Sequence, residues 1–184
     1  MIISDSAKIL FLHVPRTGGT TITKMLFDGL SDTKWIQPQH NHARSVPESF
    51  FDQYSDYTKF TFVRNPWERI ASWHSLLLKN HKEKIMKIAS MEAFIETIKN
   101  YFWFNQLDYL RNDKGHWVVN KIGRYENFSC DLAQILNDHN IPFGHIPKLN
   151  STTQQNYRSF YTEKSKKLVE DLCYKDIDYF SYRF

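Results

Sequence analysis

Cysteine is scarce in this chain of 184 residues. Cys130 and Cys173 stand far apart, with no CxxC pair and no Cys/His ligand spacing, so a disulfide framework or a zinc site has no support. Both read as buried free thiols. Glycine and proline number six each and are scattered, which leaves no low-complexity tract, linker or internal repeat. No apolar run approaches the ~18 residues that a membrane span needs. Met1 to Lys8 place no basic cluster ahead of a long apolar core, so neither a leader nor a membrane anchor is expected. The expectation is a cytoplasmic protein without a membrane partner. Dense like-charge runs are also missing. Lys164 to Lys167 is interrupted by Ser165 and reads as a solvated helix face, so no nucleic-acid partner is expected.

Apolar and aromatic residues, by contrast, are plentiful, at 41% and 16%. That is enough for one well-buried core and points to a single domain over residues 1–184. Lys plus Arg at 24 against Asp plus Glu at 20 leaves +4, a mild excess that suits an anionic small ligand.

Lys8 to Val14 (KILFLHV) is an apolar run of strand length, followed by RTGGTT and a helical pattern in which Ile22, Met25, Leu26 and Leu30 share one face. A second strand, Lys59 to Val63, precedes Arg64. Asn65, Pro66 and Glu68 then supply N-cap, N1 and N3 residues, with Glu68 read as a cap, and Ile70, Trp73 and Leu77 follow at helical spacing. Trp117 to Tyr125 is a third strand. Helices are predicted over Ile85 to Phe104, Ser129 to Asn140 and Thr162 to Tyr174, with Leu168 and Leu172 on the buried face of the last. Strands alternating with helices predict an α/β fold, a parallel sheet flanked by helices. Ligands of such sheets bind beyond the carboxyl ends of the strands, where both RTGGTT and RNPWER fall, so one crevice is expected.

Arg16, Thr17, Gly18, Gly19, Thr20 and Thr21 occupy a strand-to-helix turn, where small residues let backbone N–H groups approach an anion and the helix N-terminus adds positive potential. No Lys precedes Thr20, so this is not a Walker A loop. Arg64 and Ser72 are eight residues apart and suit a second anionic group. Taken singly, each reads as a surface ion pair or a helix residue bonding its own turn.

The HVPRTGGTT loop and FTFVRNPWERIASW resemble the two cofactor motifs of sulfotransferases that use 3′-phosphoadenosine 5′-phosphosulfate (PAPS), in the carbohydrate-type, uronosyl 2-O-sulfotransferase-like branch. The similarity continues through IGRYENF, LNSTT and YKDIDYFSYRF. It implies a P-loop-containing nucleotide-hydrolase-like fold, PAPS as donor, and no metal. Arg16 to Thr21 would bind the 5′-phosphosulfate and Arg64 with Ser72 the 3′-phosphate, with Asn150 and Thr152 as further cofactor contacts. Lys24 or Arg69 could share the phosphate load. Two positions depart from the pattern, Arg16 for the usual Lys and Asn65 for the common Asp. Arginine keeps the charge but cannot release a proton, which makes Arg16 an electrostatic catalytic group.

His40-Asn41-His42 resembles the family's HxH pair, whose second member is the base, so the resemblance makes His42 the catalytic base. Without it, both read as loop histidines. The remaining histidines carry no motif. Tyr101 to Phe104, with Gln106 and Tyr109, reads either as an acceptor wall or as core. The acceptor, a carbohydrate or small metabolite, and the oligomeric state are not legible. A P-loop kinase-like phosphotransferase and a non-catalytic nucleotide or polyanion module stand as alternative readings.

Overall fold

A computed structural model describes residues 1–80, 89–100, 104–146 and 156–184. Asn150 and Thr152, the LNSTT segment, and Tyr101 to Trp103 lie outside the described residues. The chain divides into two compact units, residues 1–63 with 106–150, and residues 64–105 with 151–184.

The first unit is built on a five-stranded sheet in the order β3-β1-β2-β4-β5. Its strands are β1 (Ile2–Ser4), β2 (Ile9–Phe11), β3 (Lys34–Trp35), β4 (Thr58–Val63) and β5 (Lys121–Arg124). The expected parallel arrangement holds for β2, β4 and β5, with Phe11 opposite Phe60 and Val63 opposite Arg124. It does not hold for the whole sheet, because β1 runs antiparallel to both β2 and β3. Residues 5–8 are too few for a crossover and force a hairpin, turned by Lys8 in the left-handed region at φ 51°. The third strand is also shorter than expected. Trp117 forms only an isolated bridge with Arg111, and Tyr125 begins a 3-10 turn.

Helix α1 (Gly19–Gly29) buries Ile22, Met25 and Leu26, as its apolar spacing requires. With α6 (Phe128–Asp138), which turns Leu132, Ile135 and Leu136 inward, it packs against Ile9, Phe11, Phe60 and Phe62 to form one core cluster. The short helices α2 (Glu48–Asp52) and α5 (Leu107–Leu110) complete this unit.

The second unit is helical: α3 (Pro66–Asn80), α4 (Met91–Ile98), α7 (Glu163–Leu172) and α8 (Tyr174–Phe180). Ser90 caps α4 through Ala93 N–H, so that helix starts at Met91; residues 85–88 of the expected Ile85 to Phe104 helix lie outside the described residues. Thr162 and Ser165 form a capping box on α7, whose buried residues are Ser165 and Val169, not Leu168 and Leu172. Lys167 pairs with Glu170 and Asp171 on the exposed face of α7. Cys173 is buried and free, whereas Cys130 is exposed, since Leu132 and not Cys130 turns toward the core. Among the described residues no helix is long and apolar enough to cross a membrane.

Candidate functional site

The glycine-rich loop leaves the sheet where β2 and β4 lie side by side. Leu12 N–H donates to Phe60 O (2.9 Å), and the Thr61 hydroxyl donates to Leu12 O (2.7 Å). The Thr17 hydroxyl then closes the loop on Val14 O at 2.8 Å. Thr17 is fully buried, so its side chain holds the loop shape. Arg16 (φ 66°) and Gly18 (φ 88°) both take left-handed conformations, and Gly18 is the N-cap of α1. The first turn of α1 contains Gly19, Thr20 and Thr21, with Thr21 N–H bonded to Gly18 O at 3.0 Å and no acidic residue among them. The positive end of the helix therefore meets no carboxylate of its own, which suits an incoming anion.

Both glycines are required by their neighbours. A Cβ on Gly18 would lie 2.3 Å from Phe128 Cε2, and one on Gly19 would lie 1.9 Å from His13 Nε2. His13 is thus a buttress of the loop, although the sequence assigned it no motif. Its ring stacks on Phe11 (5.6 Å, 27°), and its Nδ1 sits 3.1 Å from the Gln39 amide nitrogen. Burial, reinforced by His40 and the chain's amino group, pushes its pKa down to about 3, so it is neutral near pH 7.

The two histidines of the HxH pair part company. His40, at φ 64°, meets His13 edge-on, with ring centroids 4.4 Å apart. His42 instead stacks flat on Tyr109 at 4.0 Å, immediately before a 3-10 turn at Ala43–Ser45. A run of contacts therefore links the loop to the HxH segment: Gly19 to His13, then His13 to His40, two residues from His42. Tyr109 (1% exposed) and Gln106 (fully buried) belong to the core, which settles them against the open-wall reading. Among the described residues, no three His, Cys, Asp or Glu side chains gather as metal ligands. A cavity of about 460 Å³ lies at the far end of α1, lined by Met25, Gly29, Pro142 and Phe143, away from the loop.

Arg64 and Ser72 belong to the second unit, and both are buried, at 6% and 4% exposed. Arg64 Nη2 donates to Glu68 Oε1 at 2.9 Å. The Glu68 side chain thus reaches back to Arg64, an ion pair that the sequence reading did not assign to it. As expected, Asn65 is the N-cap: its Oδ1 accepts from Trp67 N–H (3.1 Å) and Glu68 N–H (3.4 Å), while the Glu68 carboxylate pairs back one turn with Arg64. Arg69 is buried, with Nη1 on Phe104 O at 2.8 Å, and Lys24 pairs with Asp28 on the surface at 2.6 Å. Arg69 thus supports the backbone of its own unit, and Lys24 is an ordinary i,i+4 pair.

The Sulfotransferase family matches residues 1–183. An uncharacterized protein of Archaeoglobus fulgidus is 29% identical over 119 residues, which cover 61% of this chain and 90% of the relative. No solved structure matches.

Proposed function

Since the chain belongs to the sulfotransferase family, we propose that it moves the sulfuryl group of PAPS to a hydroxyl of a carbohydrate or small metabolite, as in the uronosyl 2-O-sulfotransferase-like branch. The observation that carries this reading is the loop: a left-handed Arg16 and Gly18 open an acid-free helix N-terminus, with both glycines packed too tightly for any side chain. The family resemblance gives the donor's other anionic end to Arg64 and Ser72, both buried within the second unit.

Bound PAPS supplies the sulfuryl group and departs as 3′-phosphoadenosine 5′-phosphate (PAP). Arg16 and the N–H groups of Gly18 to Thr21 hold the 5′-phosphosulfate and stabilise charge on the transferring sulfonate oxygens. Arg64 and Ser72 hold the 3′-phosphate. His42 takes the proton of the acceptor hydroxyl as its oxygen bonds to sulfur in line with the breaking S–O bond. Arg16 remains charged throughout.

The test is thermal stabilisation by PAP against ADP and Mg-ATP. A ligand at about 100 times its Kd adds about 2.7 kcal/mol, a shift of several degrees. Stabilisation specific to PAP without magnesium, followed by PAP formation from PAPS in an acceptor screen, is the expected result. A preference for Mg-ATP would favour a phosphotransferase, and PAP binding without turnover would favour a non-catalytic module.

A further inference from the structure

The turn that carries Arg64 is gripped by the last residues of the second unit. Asn65 uses both ends of its amide: Oδ1 caps α3, while Nδ2 donates to Arg183 O at 2.8 Å. The next residue, Phe184, inserts its ring among Trp67, Tyr157 and Tyr161, with centroids 5.6, 5.8 and 5.6 Å away and all three contacts edge-to-face. Lys166 Nζ lies over the same ring at 4.9 Å, and Lys166 O accepts from Trp67 Nε1 at 3.1 Å. The Tyr161 hydroxyl donates to Trp67 O at 2.6 Å. Backbone and side chain of the first turn of α3 are thus both tied to residues 161–184, and Arg64 is the residue immediately before the Asn65 cap.

We infer that the Asn65–Arg183 hydrogen bond and the Phe184 ring form a strap that positions Arg64 for the 3′-phosphate, making Asn65 and Phe184 determinants of selectivity for 3′-phosphorylated nucleotides. The inference rests on the reading of Arg64 as a 3′-phosphate contact. The chemistry at position 65 is specific. A carboxylate there would still accept from the helix N–H groups but could not donate, and a hydroxyl puts its one donor and its acceptors on a single short-reaching oxygen, whereas the amide accepts at Oδ1 and donates to the facing carbonyl from Nδ2. A neighbouring guanidinium loses little affinity if its turn is fixed beforehand and much if the turn must be ordered on binding. Asn65 and Phe184 act through Arg64 and do not touch the ligand, so they are positioning residues.

The experiment compares two probes that differ only in the 3′-phosphate, PAP and AMP, by calorimetry on the full chain. Asn65→Ser keeps a helix-capping oxygen, loses the separate Nδ2 donor that reaches Arg183 O, and adds no charge beside the phosphate. Phe184→Ala loosens the strap without altering the turn. The expected result for each is an AMP-to-PAP ratio of dissociation constants reduced about tenfold, through PAP alone, with the double variant no worse than the single ones. Equal weakening of both nucleotides, or an unchanged ratio in folded variants, overturns the strap while leaving the sulfotransferase reading intact. Phe184→Leu, which keeps apolar bulk, replaces Phe184→Ala if the latter does not fold. A wild-type chain that does not distinguish PAP from AMP overturns the assignment of Arg64 and, with it, the inference.

Discussion

His42 and Tyr109 lie flat against each other, their ring centroids 4.0 Å apart and their planes 23° apart. Tyr109 is held in the core at 1% exposure, so the immobile ring sets the plane of the half-buried imidazole beside it. Sixty-seven positions separate the two in sequence, a pairing that no local pattern announces.

The base assignment makes an expectation about rates. His42→Ala lowers kcat for PAP formation by roughly 10²–10⁴-fold and leaves PAP affinity unchanged. Tyr109→Leu removes the stacking face while keeping apolar volume, and is expected to lower kcat about tenfold through a less well-oriented imidazole. Tyr109→Phe retains the face and the rate. A fully active His42→Ala enzyme would remove His42 from the mechanism.

Arg64 and Glu68 make a second expectation. Arg64→Ala weakens PAP by about 1.5–3 kcal/mol, the worth of a hydrogen bond to a charged group, and leaves AMP binding as it was. Glu68→Gln keeps an acceptor for Nη2 and removes a negative charge that opposes phosphate, so PAP binds more tightly. Calorimetry of both variants separates this from a purely structural ion pair, for which neither nucleotide would change.

Gly19 tests the buttress. Gly19→Ala would gain up to about 1 kcal/mol of helix propensity on an open helix. Here the new methyl meets the His13 ring, and overpacking of this kind typically costs about 1–3 kcal/mol, so the melting temperature falls. Adding His13→Ala to Gly19→Ala recovers part of that loss, as residues in contact are not additive.

His13 also makes stability depend on pH. The unfolded imidazole takes a proton below its ordinary value of 6.5, whereas the buried one refuses it until about pH 3. The unfolded state therefore binds more protons between those limits, and the stability present above pH 6.5 is lost as pH falls, by about 1.4 kcal/mol per pH unit for one proton. Denaturant titrations of wild type and His13→Asn between pH 7 and pH 4 should show the slope shallower in the variant.

The motif positions were legible because their chemistry is local. Gly18 and Gly19 follow a strand and open a helix, and Asn65-Pro66 starts α3, each within a few residues of chain. The family match over residues 1–183 bears out the sulfotransferase resemblance at the level of the family. The Arg64–Glu68 pair was not legible because a carboxylate at N3 can serve its own helix end or turn back to a residue one turn earlier, and only the position of Arg64 shows the second. The antiparallel β1 and β3 were missed because three and two residues are too short to show a period.

By itself, the sequence determined the strand-loop-helix order, the anion-suited loop, and the absence of any long apolar run. These are properties of backbone sterics, composition and spacing, which act over one or two turns of chain. Tertiary structure alone decided that His13 fills the space beside Gly19, that His42 stacks on Tyr109, and that Asn65 reaches Arg183. Those are contacts between residues as many as 118 positions apart, and they exist only once burial within each unit has brought distant segments to van der Waals range.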